Sequence, residues 1–141
     1  MSGIEQEKWR ADFTPDVFQD VRWELQYDLE MYMREYMKRI TPDFVRLSIG
    51  LRAPQIYEET APFIMKIPQA FLSSLISYFE QMAQRGKLPR SDFEILAMTL
   101  FSSAFGYTFL NASFEEKLTE VGREDFIKKT VAAFLYGITA E

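Results

Sequence analysis

Few side chains in this sequence could perform catalytic or metal chemistry. The chain has no cysteine and no histidine, which removes thiol nucleophiles, disulfides, the usual general base and the usual zinc ligand. Two adjacent carboxylate pairs remain, Glu58-Glu59 and Glu115-Glu116. Neighbours in sequence point in different directions on a helix, so we interpret both pairs as solvated charge. We expect no enzyme, no metal site and no cofactor.

The sequence is rich in side chains that could contact an apolar molecule, with 13 Phe, 7 Tyr, 2 Trp and 7 Met. Core packing is the alternative interpretation for each of them. Amphipathic residues outside the main apolar stripes could also line a pocket that is mostly apolar and carries a few hydroxyl or indole donors. The candidate ligand-binding residues are Trp23, Tyr27, Met31, Phe71, Tyr78 and Phe105.

The elements that must position these residues are all predicted to be helices. Thr14-Pro15-Asp16 is typical of a helix start, and apolar residues then recur at steps of three and four up to Ile40. Thr41-Pro42-Asp43 repeats the start signal and predicts a shorter helix, which ends near Ala53. After a turn at 54–62, a long helix is expected to run to Arg85, where Gly86 would terminate it.

A run of twenty residues without charge, from Ile95 to Phe114, follows the next helix start. Ser91 and Glu94 have the spacing of a capping box, which predicts that Ser91 caps this helix. A final helix is predicted from Arg123 to Ile138. We find no alternating strand pattern, so the fold class is all-α, an antiparallel bundle of about five to six helices.

The uncharged helix is difficult to cover with one copy of so short a chain. A surface helix normally leaves a charged stripe in water, and this one has none. We therefore expect a second copy to cover it, and Ser102 and Gly106, four residues apart, would allow close helix approach. The length also suits a membrane span, but the run contains several hydroxyl residues and Gly106, so we expect no membrane partner.

Charge and the amino terminus limit the remaining partners. The 141-residue chain has a formal net charge of −5, and no window concentrates Lys and Arg, so we expect no nucleic-acid contact by this chain alone. Met1 to Lys8 lack the apolar segment of a signal peptide, which favours a cytoplasmic location. We divide the chain into residues 1–13, a linker or expression remnant, and a domain at 14–141.

Two segments resemble the C-terminal ligand-binding and dimerisation domain of the TetR/AcrR family of transcriptional regulators. One is the helix end at 78–88, where Arg85-Gly86 precedes a leucine connection. The other is the closing helix at 126–138, which ends in Leu135-Tyr136-Gly137-Ile138. The resemblance covers about Thr14 to Ile138. The basic helix-turn-helix with which the family begins has no counterpart here, so DNA would be contacted through a domain absent from this chain.

The resemblance implies a homodimer in which the last two helices of each subunit form an intersubunit four-helix bundle. It also implies a small hydrophobic effector bound within the subunit, whose differential affinity shifts the spacing of two DNA-reading domains. The alternative is a stand-alone helical interaction module without a ligand pocket. The expected dimer-interface residues are Ser102, Gly106, Phe109, Ile127, Val131, Phe134 and Ile138.

Overall fold

The computed structural model describes residue 18 and residues 20–41, 43–46, 57–114 and 117–139, with the backbone alone at 57–65 and 138–139. In these ranges every regular element is helical. The long helices are α1 (Leu25–Arg39), α2 (Tyr57–Gln84), α3 (Phe93–Ser113) and α4 (Arg123–Thr139), with a short helical segment at 43–46. The predicted all-α fold class is confirmed.

Helix packing joins the four long helices into one bundle. The most extensive contacts are between α2 and α3 and between α1 and α4, with smaller contacts between α1 and α3 and between α3 and α4. Every long helix contributes fully or almost fully buried apolar side chains to one core. These include Leu29, Tyr32 and Met33 of α1; Phe71, Leu75, Phe79 and Met82 of α2; Ala97, Leu100 and Ala104 of α3; and Ile127 and Val131 of α4.

The predicted first helix is wrong before Leu25. Residues 21–24 are not helical, and Trp23 has a φ of 58°, in the left-handed region. Two backbone amides of this segment donate to the carboxylate of Asp28 and not to helical carbonyls. Residues 14–17 lie outside the described ranges. We call residues 20–24 the Trp23 turn.

Two other boundaries differ from the sequence-based expectations. The long helix α2 starts at Tyr57 and includes residues 57–62 of the predicted turn, whereas residues 54–56 lie outside the described ranges. Pro62 therefore lies within the helix, although an interior proline removes one backbone hydrogen bond and normally kinks or breaks a helix, which is why the sequence predicted a turn here. The N-cap of α3 is Asp92 and not Ser91, since the Asp92 carboxylate accepts a hydrogen bond from the Ile95 amide at 3.2 Å.

The end of α2 and the span of α4 agree with the prediction. Gly86 has a φ of +74°, and the Lys87 amide donates to the Met82 carbonyl at 3.0 Å, which is the pattern of a glycine-terminated helix. Residues 117–122 form an irregular connection, and α4 then begins at Arg123. These two turns determine how α3 is placed between α2 and α4.

Candidate functional sites

The carboxylate of Asp28 organises the aromatic end of the bundle. Asp28 is fully buried on α1. One carboxylate oxygen accepts from the Arg22 amide at 3.0 Å, and the other accepts from the Glu24 amide at 3.1 Å and from the Tyr78 hydroxyl at 2.7 Å. Three donors therefore compensate for the loss of water around the carboxylate. The bond to Tyr78 ties the first turn of α1 directly to α2.

Trp23 is held from several sides within the Trp23 turn. The Arg85 guanidinium carbon lies 3.5 Å from the centre of the indole ring, close enough for a cation–π contact. The indole ring also stacks toward Tyr78, with ring centres 6.2 Å apart. The Lys87 ammonium donates to the Trp23 carbonyl at 2.7 Å. These contacts hold a backbone conformation that a residue other than glycine rarely adopts.

Three tyrosines in the core have raised pKa values. Burial raises the pKa of Tyr32 and of Tyr36, and burial together with the hydrogen bond to Asp28 raises the pKa of Tyr78. The Tyr32 hydroxyl donates to the Phe71 carbonyl at 3.2 Å, a second polar link between α1 and α2. All three hydroxyls stay protonated at neutral pH, and those of Tyr32 and Tyr78 act as donors, which suits positioning roles and not base catalysis.

The structure brings together some of the six predicted ligand-binding residues. Trp23 and Tyr78 are neighbours, and Phe71 packs edge-on against Tyr32 and Tyr36 in the same core. Tyr27 lies outside that group, with the Arg22 guanidinium 4.0 Å above its ring.

Met31 is half-buried, and Phe105 lies on another helix, where it is 38% exposed and stacks toward Phe101 and Phe109. Ligand binding by all six residues stays a prediction. Asp28, which sequence reasoning missed, had one signal: a carboxylate at the edge of an apolar stripe, beside Leu29 and one turn before Tyr32.

A second candidate site is the outward face of α3, which we define as Ile95, Met98, Ser102, Phe105, Gly106, Phe109, Leu110 and Ser113. No residue of this face is charged, and Ile95 and Leu110 are 62% and 43% exposed. The adjacent helix α2 exposes the opposite kind of surface, namely Gln69, Ser73, Ser77, Glu80, Gln81 and Gln84. The subunit therefore leaves an apolar face of α3 uncovered, whereas the exposed face of α2 is polar.

The surface of α3 is less polar than its composition implies, because some of its hydroxyl groups form hydrogen bonds within the helix. Thr99 and Ser103 donate to the carbonyls of Ile95 and Thr99, one helical turn earlier, at 2.9 and 3.0 Å. These hydroxyl protons are thus satisfied within the helix and need no water.

In its described part the chain has one helix, Phe93–Ser113, whose length and composition would allow it to cross a membrane. An 18-residue stretch of this helix has a mean hydropathy of 1.4, and 28% of that stretch is buried within the subunit. The expectation of no membrane partner stays an expectation.

A shallow groove of about 340 Å³ runs between α3 and the start of α4. Gly106 and Ser102 form part of its lining, and Tyr107 and Phe126, stacked with ring centres 4.3 Å apart, form another part. A Cβ atom added at Gly106 would meet nothing within 4 Å. Packing inside the subunit therefore gives no reason for a glycine here, although glycine is unfavourable in a helix interior.

The predicted interface residues divide into two groups. Ser102 is exposed, Gly106 and Phe109 are partly exposed, and all three belong to the outward face. Ile127 and Val131 are fully buried in the subunit's own core, because α4 packs its apolar stripe against α1. Phe134 is partly buried and stacks on Phe79, with ring centres 6.0 Å apart. The Ile138 side chain lies outside the described part.

Comparison with known proteins gives one distant similarity. Over 95 residues, 67% of this chain, the sequence is 21% identical to the uncharacterized HTH-type transcriptional regulator YvkB of Bacillus subtilis (strain 168). The chain spans 50% of that protein's length. No protein-family profile matches the sequence, and no solved structure matches it.

Proposed function

We propose that this chain is the effector-binding and dimerisation domain of a TetR-like transcriptional regulator. Three observations support the proposal: the resemblance of the segments 78–88 and 126–138, the distant similarity to a regulator named for its HTH, and the all-helical bundle. In a complete regulator, this domain would bind a small hydrophobic effector and transmit its presence to a separate DNA-binding domain.

The outward face of α3 is the observation that carries the proposal. An exposed, uncharged helix face marks an interaction site in a protein that functions in water. A twofold dimer would place this face against the same face of a second copy. The two faces are compatible because neither carries a charge that the other would repel. The C-terminal half of α4 adds the small, exposed residues Ala132, Ala133 and Gly137, which permit close approach of a partner helix.

Dimer formation accounts for this face better than membrane insertion does. The opposite side of α3 packs Ala97, Leu100 and Ala104 into the core against α2 and its neighbours. A spanning α3 would withdraw these residues and expose the apolar side of α2, including Leu75 and Phe79. Dimerisation requires no such rearrangement.

Sedimentation velocity of the wild-type chain and of Phe105→Glu tests the dimer. We expect a dimer for the wild type at micromolar concentration and a folded monomer for the variant, because the new carboxylate would be buried without a partner. Phe105 is a better position than Phe134, whose ring also packs on Phe79 in the core. Ser77→Glu, on the polar exposed face of α2, is the matched control and should remain dimeric.

A monomeric wild type would contradict the proposal, as would a dimer that Phe105→Glu leaves intact. If the wild-type protein is monomeric and binds phospholipid vesicles through α3, the result would indicate a membrane role in place of dimerisation. Each outcome is read by sedimentation, with circular dichroism to verify that the helices remain folded.

The alternative function is a helical interaction module without an effector site. The close packing of two predicted pocket residues favours it, since Phe71 and Tyr78 are 1% and 3% exposed among other rings. Thermal shift against diverse hydrophobic compounds separates the two functions. Stabilisation that is lost in Tyr27→Ala, with assembly unchanged, supports effector binding. No stabilisation by any compound supports the interaction module.

A further inference from the structure

A cavity of about 380 Å³ lies at the end of the bundle where α1 finishes and α4 begins. Its lining comes from the last part of α1, the second half of α3, the connection at 119–122 and the first residue of α4. None of the six predicted ligand-binding residues takes part. The volume is within the usual range for small-molecule sites, about 300–1,000 Å³. We call it the Arg123 cavity.

The inner wall of the Arg123 cavity is apolar and rigidly placed. Met37 and Ile40, both 6% exposed, belong to the hydrophobic core and contribute this wall. The Tyr107 ring lies on another side, where it stacks on Phe126 and its hydroxyl donates to the Val121 carbonyl at 2.7 Å. An apolar group that entered the cavity would therefore meet preformed surface, which lowers the ordering cost of binding.

The rim of the cavity is polar, and among the described lining residues the one formal charge is positive. Arg123 supplies that charge. Thr119 accepts a hydrogen bond from the Val121 amide at 3.2 Å through its hydroxyl oxygen, so the hydroxyl proton can donate to a ligand. The Asn111 side-chain amide lines the same cavity and carries two further donors. These groups favour an acceptor-rich anion at the rim.

We propose that the Arg123 cavity binds a small amphipathic carboxylate. Its apolar body contacts Met37 and Ile40, and its carboxylate lies at the rim, where it accepts hydrogen bonds from Arg123, Thr119 or Asn111. This site is separate from the aromatic cluster around Trp23, and binding there requires no dimer. Failure of this proposal would thus leave the proposed regulator function intact, and the converse also holds.

NMR titration of the ¹⁵N-labelled chain with octanoate, with octanol as the uncharged probe of equal chain length, tests the proposal. We expect octanoate to shift the amides of Asn111, Thr119, Gly122 and Arg123, and to bind at least tenfold more tightly than octanol. Arg123→Gln should remove most of that difference, because it deletes the charge and retains a polar side chain. Lys128→Gln, an exposed cation on α4 that does not line the cavity, is the matched control.

A second variant tests the location without disturbing the core. Val121 lies at the rim and is 46% exposed, so Val121→Trp should fill the cavity entrance and weaken both probes while the fold is retained. Three results would overturn the proposal: no octanoate binding, equal affinity for the two probes, or shifts confined to the Trp23 turn and Tyr78. Octanoate affinity unchanged in both Arg123→Gln and Val121→Trp would overturn it as well.

Discussion

The Asp28 carboxylate is buried, and each of its described hydrogen-bond partners is a donor. Burying a carboxylate is costly unless donors replace the lost water, and here two backbone amides and the Tyr78 hydroxyl do so. Both amides flank Trp23, so the same carboxylate holds the left-handed backbone of that residue. One side chain thus determines where α1 begins and how it is joined to α2.

Asp28→Asn should lower the free energy of unfolding by about 3 kcal/mol, because the amide NH₂ would face a donor and leave it unpaired. Tyr78→Phe should cost less, about 2 kcal/mol, since the carboxylate keeps both backbone amides. Urea denaturation at one fixed protein concentration measures both values.

Asp43→Asn is the control for removing an aspartate charge, because the Asp43 side chain is almost fully exposed. Its effect should stay within about 0.5 kcal/mol. If Asp28→Asn were as mild as Asp43→Asn, the carboxylate would not organise the turn.

Sequence reasoning could not identify this arrangement from local patterns. Thr14-Pro15-Asp16 and the apolar steps that follow favour a helix through residue 21, and nothing in the neighbourhood of Trp23 marks a positive φ. The break depends on a hydrogen bond between residues fifty positions apart, Asp28 and Tyr78, which spacing within one helix does not reveal. The burial of Leu75 and Phe79, by contrast, follows from their spacing of four residues within one predicted helix.

At the scale of elements, a bidentate ion pair joins the middle of α1 to the first turn of α4. Arg34 donates through Nε to Glu124 Oε1 at 3.0 Å and through a terminal nitrogen to Oε2 at 3.0 Å, and it also pairs with Glu30. The hydrogen bond to Arg34 lowers the pKa of Glu124 below its ordinary value. The contact fixes the start of α4 next to the wall of the Arg123 cavity.

Glu124→Gln should reduce stability by about 0.5 kcal/mol at neutral pH, a small effect because the pair is largely exposed. The folded-state pKa of Glu124 is lowered, so this stabilisation is present above the unfolded-state value of 4.5 and is lost as the pH falls through the folded-state value. Wild type and variant should therefore converge in urea melts at stepped pH as the pH falls from 4.5 through the lowered folded-state pKa. Divergence that grows toward acid would have the wrong sign, and Glu80→Gln on α2 serves as the exposed control.

The elements themselves followed well from sequence because their signals are local. Gly86 and Arg123 mark a helix end and a helix start that the structure reproduces. The N-cap of α3 is Asp92 and not the predicted Ser91. Either short polar side chain can accept a hydrogen bond from a backbone amide of the first turn, and only packing decides between them. Which helices pack together was harder to predict from the sequence. Helix α4 buries Ile127 and Val131 against α1, a contact that no pattern within α4 specifies.

For the whole molecule, Gly106 gives a prediction whose sign depends on assembly. A Cβ there meets nothing within the subunit, so Gly106→Ala should stabilise a monomer by about 1 kcal/mol through helix propensity. In the proposed dimer the same methyl group would enter the space where the partner helix approaches, and association should weaken.

The measurement compares Gly106→Ala in the wild-type background and in the Phe105→Glu background. Sedimentation gives the dimer dissociation constant of the first, and urea denaturation gives the stability of the second. We expect weaker association in the first and increased stability in the second. Unchanged association in the wild-type background would place the interface away from Gly106.

The Trp23 turn also contains an intrinsic fluorescence probe. The chain contains two tryptophans, Trp9 and Trp23, and Trp23 is stacked against a guanidinium and a buried tyrosine. Trp9→Phe would leave a single indole at the junction of α1 and α2, whose emission changes whenever that junction opens. Fluorescence of this variant would follow, without any added label, whether events at the distant outward face or the Arg123 cavity reach the beginning of the bundle.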